Sequence, residues 1–136
     1  MAYVKELLRN ENDGAISFGD YSLPEKKKVE GFKSGDDVLK VKTFKELTRL
    51  EKNDLFVYES VPGTAVFNFE DNDKGVTFEV CADEDVQITL GLEEDTEYSV
   101  YIDDVNTGKM KTNMSGKLSI SIELSAQDEV AVKIVK

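Results

Sequence analysis

Carboxylates are the side chains in this sequence abundant enough to suggest chemistry. Aspartate and glutamate number 28, lysine and arginine 17, and histidine is absent. Without histidine, Ser–His and Cys–His nucleophile pairs and histidine-containing metal sites are excluded. Acidic groups could act in two ways. A carboxylate pair about 5–10 Å apart, one with its pKa raised, hydrolyses glycosides. Acidic turns hold a hard cation such as Ca²⁺. With 28 acids in 136 residues some pair always meets the first distance, so spacing selects no catalytic residue. For calcium the candidates are Asp71, Asp73, Asp103 and Asp104. Asp71-x-Asp73-x-Gly75 has the opening spacing of a calcium loop but lacks its sixth-position glycine and distal bidentate glutamate. Solvated acidic turns are the ordinary reading, and no other cofactor is implied. Cys81 ends the alternating run Val76–Cys81 with no cation beside it to lower its pKa, so it reads as a small structural residue. The glycines are scattered one per turn and build no phosphate loop.

The formal charge of −11 repels phosphate backbones and anionic membranes, so neither nucleic acid nor membrane is expected as a partner. The first eight residues hold no apolar core of signal-peptide length, and no 18-residue apolar run occurs, which reads as a cytoplasmic protein. A single cysteine cannot form an internal disulfide, so the core must suffice. A length of 136 residues fits one domain spanning 1–136 with a sizeable core.

The positioning elements follow from periodicity. Residues 3–8 and 15–21 read as a hairpin across Asn10–Gly14, because Asp13-Gly14 is a strong turn signal. Val4, Leu7 and Leu8 also fit a short helix over 3–9. The basic cluster Lys26–Lys28 after Pro24 reads as a solvated strand edge. Residues 28–33 and 38–42 read as a second hairpin. Thr43 and Glu46 have capping-box spacing, with Phe44, Leu47 and Leu50 at helical intervals, which predicts one short helix of about ten residues. Leu55–Tyr58 reads as a strand, and Pro62-Gly63 as a type II turn at an internal boundary.

From residue 64 onward, strands are expected at 65–70, 76–81, 86–92, 97–103, 108–112, 117–124 and 129–135, with turns near 73, 84, 95, 105, 115 and 127. The expected inward faces are Phe67 and Phe69; Val76, Phe78 and Val80; Val86, Ile88 and Leu90; Tyr98, Val100 and Ile102; Leu118 to Leu124 at alternate positions; and Val130, Val132 and Ile134. Such short alternating strands at regular spacing predict a mainly β protein. The expected fold is an antiparallel β-sandwich of Greek-key or Ig-like type over 64–136, with the N-terminal β-hairpins and short helix of 1–62 packed on it.

Leu92, Thr96, Tyr98 and Val100 resemble the tyrosine corner of fibronectin type III-like domains, with Glu94 where proline is usual. That resemblance covers about ten residues and implies that the Tyr98 hydroxyl bonds to the backbone upstream, making Leu92, Thr96 and Tyr98 structural residues. More broadly, Ser17–Tyr21, Pro24–Lys28 and Phe56–Thr64 resemble a family of small, poorly characterised bacterial proteins, some labelled endosialidase. Sialidase-like enzymes hold the substrate carboxylate with three arginines. This chain has only Arg9 and Arg49, no tryptophan and no Ser-x-Asp-x-Gly-x-Thr-Trp box, so the resemblance carries no catalytic residue here.

These readings together lead to a non-catalytic structural or scaffolding protein, a homo-oligomer or the binder of a protein partner. Two alternatives stand beside it. A carbohydrate- or small-ligand-binding module needs an exposed aromatic platform from Tyr3, Tyr21, Tyr58 and Tyr101. A glycoside hydrolase needs a cleft with two facing carboxylates.

Overall fold

Alternating inward and outward side chains build nearly every element of this chain. The computed structural model describes residues 3–11, 14–124 and 129–136. Thirteen strands form: β1 Leu8–Asn10, β2 Ile16–Phe18, β3 Lys27–Ser34, β4 Asp37–Phe44, β5 Leu47–Lys52, β6 Leu55–Val61, β7 Ala65–Asn72, β8 Gly75–Cys81, β9 Val86–Gly91, β10 Glu97–Ile102, β11 Val105–Lys111, β12 Lys117–Ile122 and β13 Val130–Val135. The larger sheet has the order β1-β2-β7-β8-β13-β10-β11, and the smaller has β12-β9-β6-β5-β4-β3. Every strand pair is antiparallel. The protein is therefore mainly β, a sandwich-like pair of antiparallel sheets. Each sheet draws strands from both sides of residue 63. One apolar cluster between them runs from Leu8 to Ile134.

The alternation expected after residue 64 holds for most strands. Val76, Phe78, Val80, Val86, Ile88, Leu90, Tyr98, Val100, Val130, Val132 and Ile134 are all buried. So are Leu118, Ile120, Ile122 and Leu124, while Ile102 is half-buried against the same core. Strand β7 departs from expectation. Its register slips between Phe67 and Glu70, and Asn68 takes a φ of 55°. A bulge of this kind inserts one residue and flips the face. Val66 and Phe69 consequently face the core, and Phe67 turns outward onto a small cluster with Tyr21, Ala65 and Cys81.

The expected helix after Thr43 does not form, and neither does the one over 3–9; no helix occurs among the described residues. Lys45 and Glu46 instead make a two-residue turn joining β4 to β5, with Phe44 opposite Leu47. Tertiary burial overrides the capping signal: Thr48 and Leu50 face inward, Arg49 and Glu51 outward, which is a period of two. In the first segment Leu7 has a φ of 73°, which no helix accepts, and the strand begins only at Leu8. Asp13, half of the expected Asp-Gly turn, and the turn near 127 lie outside the described residues. Pro62-Gly63 is not a type II turn. The Val61–Pro62 bond is cis and Gly63 lies outside the positive-φ region that such a turn requires. Glycine is needed at 63 for space, since a Cβ there would stand 2.0 Å from the Phe44 carbonyl oxygen.

The segment around residue 64 carries the chain from the smaller sheet back to the larger, and a chain of buried hydroxyls secures it. Thr48 Oγ1 accepts from the Thr64 amide at 3.0 Å and donates to the Thr64 carbonyl at 2.9 Å. It also bonds Thr43 Oγ1 at 2.8 Å, and Thr43 Oγ1 accepts from the Asp20 amide at 2.9 Å. Thr64 Oγ1 meets Tyr58 Oη at 2.8 Å and Ser60 Oγ at 2.9 Å. Thr43, Thr48, Tyr58, Ser60 and Thr64 are all fully buried, and among the described residues no buried side-chain polar atom lacks a partner. The Tyr58 ring, from the smaller sheet, meets Phe18, Phe69 and Phe78 of the larger sheet edge-on at 5.2, 6.2 and 5.8 Å between centroids. Burial raises the pKa of its hydroxyl well above the ordinary tyrosine range.

Thr48→Val keeps the shape of this side chain and strands the Thr64 amide and carbonyl in the interior. Unfolding in urea should show a loss of about 2–4 kcal/mol, one to two orphaned buried groups, with an unchanged denaturant slope.

Candidate functional site

The outer face of the smaller sheet carries an organised cluster of charge around an aromatic ring. Strand β6 presents Phe56 on this face, paired across from Glu51 of β5. Beside it in β9 stands Gly91, where a Cβ would lie 2.3 Å from the Phe56 carbonyl oxygen and 3.2 Å from its ring. The absence of a side chain there leaves room for the ring. Two cations bracket it: the Arg49 guanidinium stands 5.2 Å from the ring centroid and the Lys117 ammonium 4.8 Å. Arg49 is held in turn, its Nε 3.2 Å from Glu51 and its Nη1 3.1 Å from Glu59. Alternation places Arg49, Glu51 and Glu59 on one side and Leu50 and Tyr58 on the other, and the register shift beside Leu50 and Glu51, which leaves Val57 without a partner, brings Phe56 onto the same side as Glu59. A shallow groove of about 480 Å³ runs past this cluster to the end of the sheet, lined by Lys52, Leu55, Phe56, Gly91, Leu92 and Lys117 among others. Leu55 is 70% exposed at its rim.

The corner residues are gathered in one place. Tyr98 is buried, and its hydroxyl accepts from the Glu93 amide at 3.2 Å. The Leu92 amide donates to the Gly116 carbonyl at 2.7 Å, and Thr96 Oγ1 donates to the Glu94 carbonyl at 2.8 Å. Sequence reasoning missed Thr112, whose hydroxyl accepts from the Thr96 amide at 2.9 Å and donates to the Glu93 carbonyl at 2.6 Å. A polar residue closing a strand of exposed residues gave no local sign that it would be buried.

The calcium candidates are not gathered. Asp71 and Asp73 flank the β7–β8 turn, whereas Asp103 and Asp104 form the β10–β11 turn, and the shared register with β13 puts these turns at opposite ends of the larger sheet. Asp71 Oδ1 accepts from Lys52 at 2.8 Å, and Asp103 Oδ1 from the Ala131 amide at 2.9 Å. Asp103 and Asp104 both have positive φ, the signature of a type I′ hairpin turn. Among the described residues no group of three or more His, Cys, Asp or Glu side chains is placed to hold a metal.

The other candidate groups are likewise dispersed. At the mouth of the sandwich Asp37 and Asp71 line a pocket floored by Ile16, Leu39 and Phe69. Lys52 stands between the two acids, 4.0 and 2.8 Å from them, an ion-paired rather than a facing arrangement. Of the tyrosines, Tyr58 is inside the core and Tyr21 is buried, its pKa pushed up to about 12 chiefly by burial. Tyr101 lies on the outer face of the larger sheet beneath Lys133, and Tyr3 is exposed near the N-terminus. They form no common platform. Cys81 is buried, its sulfur 3.9 Å from Glu129. Glu79, two residues before it in β8, has its carboxyl pKa raised, first by burial and further by the charge of Glu129, against a weak bond from Asn68.

Comparison with protein families, curated proteins and solved structures finds no match to this chain. Its geometry is thus the ground for any functional reading.

Two measurements follow from these environments. Tyr98→Phe leaves the Glu93 amide without its acceptor and should lower unfolding free energy by about 1 kcal/mol in chemical denaturation. The folded-state pKa of Glu79 lies above its unfolded value, so ionising it opposes folding as pH rises through that interval and beyond it. Glu79→Gln should therefore raise the thermal midpoint at neutral pH. The gain should vanish at a pH below the ordinary carboxylate range, where both forms are neutral.

Proposed function

We propose that this chain is a non-catalytic structural or scaffolding module that acts through protein–protein contacts, self-association included, with the outer face of its smaller sheet as the contact surface. The observation that carries this reading is Phe56 held between Arg49 and Lys117 beside the exposed Leu55. Contact hot spots combine an aromatic anchor with arginine on a rigid support. Here the support is a sheet, and the Glu51 and Glu59 carboxylates fix the guanidinium before any partner arrives. Little ordering entropy then remains to be lost on binding. The carboxylates at the sandwich mouth are bridged by Lys52, which supports a structural rather than a hydrolytic role for them.

A Greek-key form of the sandwich belongs to the same proposal. β8 and β9 lie in different sheets, as do β12 and β13, with β8 next to β13 and β9 next to β12, which supports that wiring. We assign the protein to the cytoplasm on its single cysteine, which asks for no oxidising compartment.

Sedimentation velocity across micromolar concentrations tests the reading. The wild type should gain mass with concentration. The double substitution Leu55→Ser, Phe56→Ala should weaken association by about tenfold or more, the loss of one hot spot. Association untouched by that pair would remove this face from the contact, and a monomer throughout would remove self-association.

A further inference from the structure

Positive charge is concentrated on β3, β4 and β5. Residues 27–52 carry eight lysines and arginines against five acids, whereas the rest of the chain carries nine against twenty-three. Register sorts these charges into rows across the outer face of the smaller sheet. In one row Lys40 of β4 stands opposite Glu51 of β5, and Glu30 of β3 lies 3.8 Å from the Lys40 ammonium. Signs alternate there, as cross-strand pairing favours.

The neighbouring row breaks that rule. Lys28 of β3 stands opposite Lys42 of β4, and Lys42 stands opposite Arg49 of β5. A strand spacing of about 4.8 Å puts these three cations abreast within about 10 Å. The two outer ones are matched: Lys28 lies 3.6 Å from Glu30, and Glu51 and Glu59 hold Arg49. Lys42, in the middle, has no acidic partner among the described residues. On its other side along the strands, Phe44 and Leu47 stand opposite each other on the same face, both half-buried.

Like charges directly opposite each other cost stability. Lysines on an edge strand resist stray pairing, which accounts for Lys28. It does not account for Lys42 and Arg49, because β4 and β5 lie inside the sheet. A cation row with an unmatched centre is completed by an anionic group from outside. Its borders select the kind of anion. Glu30, Glu51 and Glu59 flank the row and repel the continuing phosphates of a polyanion, as does the net charge of −11. A carboxylate fits over Lys42, between Lys28 and Arg49. In an extended segment lying along β4, the side chain two residues away falls roughly 6–7 Å further on, over Phe44 and Leu47.

We infer that the row Lys28–Lys42–Arg49 is a docking site for an acidic segment of a protein partner: an extended stretch with a carboxylate over Lys42 and an apolar side chain two residues away over Phe44 and Leu47. This rests on the protein-contact reading above and names the chemistry of what that face receives.

Titration of the full chain with an acetylated hexapeptide alternating glutamate and leucine, followed by amide chemical shifts, tests it. The peptide should bind, more weakly as salt rises, with the largest shifts at Lys28, Lys42, Leu47 and Arg49. Lys42→Glu should weaken binding about tenfold or more. The same variant sets an acid between Lys28 and Arg49, so its thermal midpoint should rise. Changing the peptide's glutamates to glutamines should remove binding, and changing its leucines to serines should weaken it. Self-association lost in Lys42→Glu together with peptide binding also supports the row, the acidic segment then belonging to a second copy. A midpoint that falls in Lys42→Glu while binding is unchanged makes the row structural and overturns the site, as does a wild type that binds no peptide at millimolar concentration. Tighter binding of a polyphosphate of matched charge overturns the acidic-segment assignment. The contact reading fails separately, on association untouched by Leu55→Ser with Phe56→Ala.

Discussion

The structure depends on how residue 64 is held. There the chain leaves one sheet for the other, and a crossover inside a sandwich leaves backbone polar groups away from water. An unpaired buried amide or carbonyl costs as much as several good contacts return. Thr48 meets the demand with one oxygen that uses both lone pairs and its proton, and Thr43 extends the chain of bonds to Asp20. The hydroxyl of Tyr58 ends on Thr64, and its ring spans the core to three phenylalanines of the facing sheet. Polar satisfaction and apolar packing are thus joined in one side chain. This couples the relative placement of the sheets to the geometry of the crossover.

That solution leaves the interior for structure and gives the surface the polar half of each strand. Acidic groups follow the turns and outer faces, where they are hydrated or ion-paired, as Asp71 is with Lys52 and Glu59 with Arg49. Such exposed pairs contribute little stability singly. Their consequence is geometric: the Glu51 and Glu59 carboxylates fix the orientation of Arg49 over Phe56.

The candidate surface was only partly legible in the sequence. Tyr98 and its corner are a local pattern, since a turn and the strand that follows it are close in sequence. Phe56 read as one residue of a strand, because its cations come from positions 49 and 117 and the space for its ring from Gly91. Thr112 and Thr48 were invisible as buried groups for the same reason, their partners lying 16 residues away along the chain. In Thr43–Leu50 a capping pattern and a strand pattern overlap. Local signals pointed to a helix, and only the burial of Thr48 and Leu50 against other strands selects the extended form.

The sequence by itself determined that the chain is mainly β and where most strands run after residue 64, because side-chain alternation is a property of consecutive residues. It also determined the acidic surface and the absence of histidine chemistry. The tertiary structure decided what depends on partners distant along the chain: which strands become edges, where β7 bulges and sends Phe67 outward, and how both halves share two sheets. It also decided that hydroxyls rather than apolar groups close the crossover, because a buried donor's need is set by the neighbours that exclude its water.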